Sequence, residues 1–153
     1  MKNKAAVLYE VGQPLVVEEV ELDDPKEHQV LVKIGAAGIC RSDRHFMHGH
    51  APIPLPAVLG HEGAGTVERV GPGVTSVKPG DPVILSFVPA CGRCKSCIEG
   101  HANLCDLHMA TGPKMFDGTC RLHKGDQEIH HMAKTACFAE YSVVPENGCV
   151  PLT

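Results

Sequence analysis

Residues 91–105 read CGRCKSCIEGHANLC and hold four cysteines, Cys91, Cys94, Cys97 and Cys105, within one short loop. Each C-x-x-C step is a tight turn that brings two sulfur atoms close enough to bind one metal ion. Because four protein sulfurs leave no open coordination position, the pattern predicts a structural zinc ion rather than a catalytic one. This loop would form a metal lobe over about residues 90–106.

Two other interpretations of the four cysteines are weaker. The spacing does not match the cysteine runs of iron–sulfur clusters. A single iron ion bound by the four sulfurs remains an alternative to zinc. A disulfide framework suits a secreted chain, and residues 1–12 show no signal peptide. Arg93 and Lys95 lie between the ligands, where they would either offset the negative charge of the thiolates or form a solvated loop face.

The composition is that of an ordinary globular protein. The chain has 153 residues, of which 43% are hydrophobic and 21% charged, enough for one domain with a core. A formal net charge of −4 gives no electrostatic support for a nucleic-acid or anionic-membrane partner, and no apolar run is long enough to span a bilayer. Eight cysteines and ten histidines without a targeting segment predict a cytoplasmic, metal-binding protein, with Cys120, Cys137 and Cys149 as small buried hydrophobes.

Short strands between glycine and proline turns account for most of the chain. The predicted strands are residues 4–9, 15–20, 29–37, 63–70, 82–88 and 137–144. A short helical turn fits residues 40–46, and residues 108–135 are expected to be irregular with a small hairpin around Asp117–Gly118. The predicted fold is mainly β with short helices, a partly open barrel that carries the metal lobe.

Two further segments carry chemistry, GICRSDRH at residues 38–45 and GHEGAG at residues 60–65. Cys40 and His61 could form part of a catalytic zinc site, which needs three protein ligands and one open position. Each residue alone is a weak signal, since a lone cysteine after a strand usually belongs to the core and a lone histidine before a glutamate to the surface. Found together, in this order and ahead of the four-cysteine loop, the two residues are a specific signal of a metal site.

These segments, together with VKPGDPV at residues 77–83, resemble the zinc-dependent alcohol dehydrogenases of the medium-chain dehydrogenase/reductase superfamily. The resemblance covers essentially all of residues 1–153 and corresponds to the N-terminal GroES-like catalytic domain of that family. Segments MFDGTCRL, IHHM and FAEYSVV, at residues 115–122, 129–132 and 138–144, are similar to the liver-type and glutathione-dependent formaldehyde branch.

The resemblance implies metal-binding roles for several residues. Cys40 and His61 would be two of three catalytic zinc ligands, the third being a cysteine beyond residue 153. Asp43 would hydrogen-bond the far nitrogen of His61 and fix its tautomer. Glu62 would lie just behind the metal and help ligand exchange. The structural zinc would be held by Cys91, Cys94, Cys97 and Cys105.

The resemblance also implies a proton path and binding sites. The small-molecule substrate would be an alcohol or, in the reverse direction, the matching aldehyde. Ser42 would accept the hydroxyl proton of the alcohol and pass it through the cofactor ribose to His45, near solvent. Arg41 would bind the pyrophosphate of NAD(H), and Phe87 would line the substrate pocket. Each of these residues also has a purely structural interpretation. Ser42 and Asp43 could cap the short helix, Arg41 could be a charged surface residue and Phe87 could belong to the hydrophobic core.

Seven other histidines are expected at the surface rather than at a metal; they are His48, His50, His101, His108, His123, His130 and His131.

A dinucleotide-binding motif is not found in this sequence. Gly63-Ala64-Gly65 begins a G-x-G-x-x-G spacing, but position 68 is a glutamate and the context is wrong. The chain is therefore expected to be the catalytic domain alone, without the C-terminal NAD-binding Rossmann domain, and inactive by itself. The exposed cleft face could then drive self-association. The alternative is a stand-alone zinc-binding GroES-like interaction or assembly module without redox activity.

Overall fold

The computed structural model describes residues 1–152, so Thr153, the last residue of the predicted domain, lies outside the described part. The strands are β1 Lys2–Leu8, β2 Val16–Leu22, β3 Gln29–Gly38, β4 Ala57–Val58, β5 Glu62–Val70, β6 Pro82–Leu85, β7 Leu122–Lys124, β8 Gln127–His131, β9 Tyr141–Pro145 and β10 Cys149–Pro151. The α-helices are α1 Arg41–Met47, α2 Lys95–Ile98 and α3 Asp106–Thr111. Short 3₁₀ helices occupy Ala102–Leu104, Met132–Lys134 and Glu146–Gly148. Over residues 1–152, none of the helices has the length and hydropathy needed to cross a lipid bilayer.

The strands form a closed barrel and a second sheet. The barrel runs in the order β1-β2-β7-β8-β4, and β4 closes it by pairing with β1. The second sheet has the order β10-β6-β5-β3-β9. All pairs are antiparallel except β4 with β8. The predicted mainly β fold with a barrel is confirmed, and five strands complete the barrel that was expected to be partly open.

Strand β3 lies between two hydrophobic cores. Val30 and Val32 pack with Ile34 in the core of the second sheet, as the alternating pattern predicted, while Leu31 faces the barrel core. Ala36 was expected on the same face as Val30 but is exposed. A β-bulge between Ile34 and Ala36 shifts the register with β5, and alternation does not continue past it.

The segment at residues 108–135 is more ordered than predicted, because it contains most of α3 and all of β7 and β8. Its hairpin turns at Gly125–Asp126, between the paired Lys124 and Gln127, so the predicted position at Asp117–Gly118 was wrong. Asp117–Gly118 forms a separate turn in which the Gly118 amide donates to the Met115 carbonyl. Both sites have a glycine with positive φ, so the sequence signal for a turn was the same.

His131 is fully buried, which corrects its predicted surface position. Its Nε2 accepts a 2.9 Å hydrogen bond from the backbone amide of Arg121, itself fully buried with Nε bonded to Gln29. Burial, and secondarily the charge of Arg121, lowers the pKa of His131 to about 3, so the ring is neutral. The signal was present in the sequence, since His131 shares a strand face with Ile129.

Glu146 joins the end of β9 to the turn before β6. Its Oε1 accepts hydrogen bonds from the Thr75 and Ser76 amides at 2.7 and 2.9 Å, and its Oε2 lies 3.1 Å from His28 Nδ1. Although burial alone would raise the pKa of Glu146, these amides lower it from an ordinary 4.5 to about 2.

A lowered carboxyl pKa gives stability that is present above pH 4.5 and is lost as the pH falls through about 2. We expect Glu146→Gln to cost at most about 3 kcal/mol of unfolding free energy near pH 6, and much less near pH 3. Denaturant unfolding of both proteins at the two pH values measures this. Glu99→Gln, at an exposed residue 3.9 Å from Lys95, is the control and should show no such trend. A Glu146→Gln deficit that is equal at both pH values would contradict the assignment.

Candidate metal centres and active-site cavity

The four cysteines of the metal lobe converge as predicted. Their sulfur atoms all lie within 4.8 Å of one another, with 3.4 Å between Cys94 and Cys97 and 4.0 Å between Cys94 and Cys105. Backbone amides point at the sulfurs, among them those of Asp106 to Cys94 and His108 to Cys105, both at 3.4 Å. Amide donors stabilise thiolates, so the donor set fits a closed tetrahedral zinc site.

Cys105 shows the effect of these donors on acidity. It is buried, and burial alone would raise the pKa of its thiol. The amides of Cys91 and His108 more than offset this and lower the pKa to about 7. A lowered thiol pKa favours the thiolate, which is the form that binds a metal.

The metal lobe has little else to hold it together. Its helix α2 has four residues, and its large apolar side chains Ile98 and Leu104 are 74% and 60% exposed. Cys105 is the buried apolar side chain of the loop between Cys91 and Asp106. Without an apolar core of its own, this loop would depend on a bound ion for its shape.

The second predicted metal group also comes together. Ligand atoms of Cys40, His61 and Glu62 lie within 4.8 Å of one another, with His61 buried and Glu62 exposed. Cys40 directly precedes α1, and His61 directly precedes β5. The end of β3 and the start of β5 are paired, Gly38 with Glu62, which places the two segments side by side.

Asp43 fastens these two segments to each other. Its carboxylate, 1% exposed, accepts hydrogen bonds from the Cys40 amide at 2.8 Å and the Gly60 amide at 3.1 Å. These amides belong to Cys40 and to the residue that precedes His61. The sequence offered Asp43 both as a helix cap and as the partner of His61, whereas the bond to the Gly60 amide was not predicted. The predicted helix-capping role and the predicted role beside the metal are therefore compatible.

The His61 ring is oriented between Asp43 and Ser42. Nδ1 lies 3.4 Å from Asp43 Oδ1, longer than a usual hydrogen bond, and has no other partner among residues 1–152. Nε2 lies 3.3 Å from Ser42 Oγ. A zinc-binding histidine directs one nitrogen to a carboxylate and the other to the metal, and this ring position fits that requirement.

A cavity of about 510 Å³ opens above His61, and we call it the active-site cavity. Ser42, His61 and Phe87 lie in its wall. The other lining side chains are mainly apolar and include Phe46, Ile53, Val88, Met109 and Met132. Phe87 is 57% exposed, so it is not a core residue, and its ring meets that of His61 edge-on at 5.7 Å.

The other two predicted site residues lie on α1. Arg41 is exposed and makes no ion pair or side-chain hydrogen bond with the residues that the structure describes. His45 is half-buried, three positions after Ser42 and thus on the same helix face. Their geometry is compatible with the predicted cofactor and proton-path roles, which stay predictions.

Residues 26–153 match the family described as the alcohol dehydrogenase GroES-like domain. The chain belongs to this family.

Solved structures extend the similarity over the whole chain. An alcohol dehydrogenase zinc-binding domain protein from Burkholderia ambifaria has 37% identity and a TM-score of 0.92, with 100% of this chain and 42% of that chain covered. Benzyl alcohol dehydrogenase from Acinetobacter calcoaceticus has 34% identity and a TM-score of 0.89, with coverage of 100% and 41%. A putative zinc-binding dehydrogenase from Sinorhizobium meliloti, bound to NADP, has 32% identity and a TM-score of 0.71, with coverage of 100% and 39%. The chain thus spans about two fifths of these proteins.

This GroES-like domain also contains a buried lysine that sequence reasoning missed. Lys134 is fully buried, and its Nζ donates to the carbonyls of His108 and Gly112 at 3.2 and 2.6 Å. Burial lowers the pKa of Lys134 to about 8. The bonds hold the end of α3, where His108 and Met109 line the active-site cavity, and so connect the metal lobe to that cavity.

His108 corrects another expectation, because it was predicted at the surface and instead lies in the cavity wall. Burial, and then the neighbouring charge of Lys134, lowers its pKa below the ordinary histidine value. Its Nδ1 is buried and has no hydrogen-bond partner in the described part of the chain.

Proposed function

We propose that this chain is the N-terminal catalytic domain of a zinc-dependent alcohol dehydrogenase, which interconverts an alcohol and its carbonyl product with NAD(H). The observation that carries the proposal is the group formed by Cys40, His61 and Glu62 beside the active-site cavity. Cys40 and His61 would hold the catalytic zinc, with a further ligand from polypeptide outside this chain. The metal lobe would hold a structural zinc.

The chain's own side chains would position the substrate hydroxyl and remove its proton. Zinc, when bound, lowers the pKa of a coordinated hydroxyl group. Ser42 Oγ lies 3.3 Å from His61 Nε2, and a hydroxyl can both accept and donate a proton. His45, one helical turn further and half-buried, would pass that proton on to solvent. Asp43 keeps Cys40 and His61 in place during this transfer.

A second, dinucleotide-binding domain would complete the cleft. Ile39, beside Cys40, is 87% exposed, and Phe87 in the cavity wall is 57% exposed, so two large apolar side chains of this region face solvent. Such apolar exposure is typical of a surface that another domain covers. Arg41, exposed at the start of α1, would bind the pyrophosphate of NAD(H) there.

The cavity favours an apolar alcohol such as benzyl alcohol. Its described lining has five large apolar side chains, Phe46, Ile53, Phe87, Met109 and Met132, and no lysine or arginine. A glutathione adduct carries carboxylates that this lining does not neutralise. We therefore assign an uncharged alcohol as the substrate, in agreement with the benzyl alcohol dehydrogenase among the similar structures.

The function is tested on the complete polypeptide that contains this domain. With zinc and NAD⁺, benzyl alcohol should yield NADH, and Cys40→Ser should abolish the reaction. Cys149→Ser, which changes a buried thiol outside both metal groups, should retain it. A zinc-loaded, folded protein that oxidises no alcohol would overturn the proposal in favour of a zinc-binding assembly module.

Phe87→Ala tests the substrate pocket. The substitution removes an aromatic wall next to His61, so the KM for benzyl alcohol should rise about tenfold, while the KM for ethanol should change little. Steady-state kinetics with both alcohols measure this. Phe87→Leu, which keeps an apolar wall, should show a smaller effect. Equal changes for the two alcohols would mean that Phe87 does not contact the substrate's apolar part.

A further inference from the structure

A loop with an unusual backbone follows β8 at residues 132–136, and we call it the brace loop. Ala133, Lys134 and Ala136 in this loop have φ of +53°, +59° and +47°. Residues with a Cβ are disfavoured in this left-handed region, so such a run persists where the surrounding structure holds it. Met132 and Ala133 of the brace loop lie in the wall of the active-site cavity.

One side of the brace loop is bonded to the segment that carries His61. Thr135 is 2% exposed, and its Oγ1 lies 2.9 Å from the carbonyl oxygens of Gly60 and Met132, which share its proton. The Cys137 amide, just after the loop, also donates to the Gly60 carbonyl at 3.1 Å. Gly60 directly precedes His61, so these bonds fix the loop against the part of the cavity wall that contains His61.

The other side of the brace loop reaches the end of α3. Lys134 is fully buried, and its Nζ donates to the carbonyls of His108 and Gly112 at 3.2 and 2.6 Å. The last carbonyls of a helix lack partners further along it, and a lysine is a suitable donor for them. The Phe116 ring, whose centre lies 5.4 Å from Nζ, adds a cation–π contact.

We propose that Lys134 is a positioning residue, which sets the distance between the α3 wall of the active-site cavity and His61 and so determines which alcohols fit. The α3 wall consists of His108 and Met109. Lys134 and Thr135 are neighbours in the brace loop, and one is bonded to α3 while the other is bonded to the residue before His61. The consequence for alcohols rests on the proposed function, whereas the positioning of α3 does not.

The end of α3 depends on Lys134 more than the segment after it does. Met109 is 73% exposed, so its side chain has little packing to hold it in place. The Pro113 carbonyl, by contrast, accepts the His131 amide at 2.8 Å and stays attached to β8 without the lysine. Removing the ammonium group should therefore loosen the end of α3 and leave the barrel folded.

Lys134→Met in the complete polypeptide, assayed with benzyl alcohol and ethanol, tests the effect on substrates. Methionine keeps an apolar stem but donates no hydrogen bond to α3. The KM for benzyl alcohol should rise about tenfold, the lower end of what a one-methylene change in an apolar pocket costs. The KM for ethanol and both kcat values should change little. A variant that is only less stable would lower the apparent kcat for both alcohols and leave their KM values unchanged.

Hydrogen exchange of the same proteins tests the positioning of α3 without catalysis. The Gly112 amide donates to the His108 carbonyl at 3.2 Å, and it should exchange about tenfold faster in Lys134→Met. The matched control is Lys124→Met, at a lysine that is 50% exposed and paired with Glu18 on the barrel. This control should change neither the exchange at α3 nor the KM values.

Lys134→Gln, whose side chain is one bond shorter and keeps a donor, is the milder variant if Lys134→Met does not fold. It should shift the exchange and the benzyl alcohol KM in the same direction by a smaller factor. Unchanged exchange at α3 overturns the positioning role. Faster exchange with an unchanged benzyl alcohol KM overturns the effect on substrates. If the unsubstituted polypeptide oxidises no alcohol, the proposed function fails, and the exchange rates alone decide whether Lys134 holds α3.

Discussion

Replacing Cys94 with serine is expected to release one zinc ion per chain and to unfold the metal lobe. The Cys94 sulfur lies 3.4 Å from that of Cys97 and 4.0 Å from that of Cys105, and it accepts the Asp106 amide. A structural zinc site contributes about 10–16 kcal/mol of apparent binding free energy, which in such sites is folding free energy. With Ile98 and Leu104 exposed, no apolar packing of the lobe's large side chains replaces that contribution.

The effect should extend to the active-site cavity. Cys105 begins α3, and its sulfur accepts the His108 amide, while His108 and Met109 line the cavity. Loss of the ion should therefore increase hydrogen exchange in residues 90–112. The barrel strands should keep their protection, because their core is separate from the lobe.

Cys120→Ala is the matched control for loss of a thiol. Cys120 is 1% exposed in the barrel region, and burial raises its pKa to about 11, so it stays a neutral thiol. This variant should keep its zinc content and lose only the small stability that a core cavity costs. Full zinc content and unchanged exchange in Cys94→Ser would refute the structural role of the ion.

The parts that the sequence predicted well are those fixed by local spacing. Two C-x-x-C steps determine where sulfurs can meet, so Cys91, Cys94 and Cys97 could be placed without knowing the fold. Alternation likewise located β3 and put Val30 and Val32 on one face. In both cases the decisive geometry involves residues only two or three positions apart.

The parts that it did not predict depend on contacts between distant residues. The closed barrel requires β4 to pair with β1 and β8, and β4 has only two residues, too few for a pattern. Lys134 reads as a surface lysine, and only its φ of +59° and the carbonyls of α3 explain its burial. The two hydrogen bonds that Asp43 accepts from the Cys40 and Gly60 amides likewise need β3 and β5 to be paired first.

Two neighbouring substitutions, Asp43→Asn and Ser42→Ala, should separate metal binding from proton transfer in the complete enzyme. Asp43→Asn replaces the carboxylate that holds the Cys40 and Gly60 amides, and an amide group presents a donor to one of them. The affinity for the catalytic zinc should fall about 10–100-fold, and turnover should fall with it. The structural zinc should remain, because none of its ligands contacts Asp43.

Ser42→Ala should do the opposite. Its Oγ faces His61 at 3.3 Å but belongs to no ligand group, so both zinc ions should stay bound. Turnover should nevertheless drop about 100-fold or more, since proton transfer by a positioned group contributes 10²–10⁴-fold. Zinc analysis together with steady-state rates for the two variants measures the separation. Loss of zinc in Ser42→Ala would mean that Ser42 supports the metal rather than the proton transfer. Full zinc content and turnover in Asp43→Asn would mean that Asp43 is not needed to hold the two ligand segments, because a carboxylate on which both depend cannot be replaced without cost.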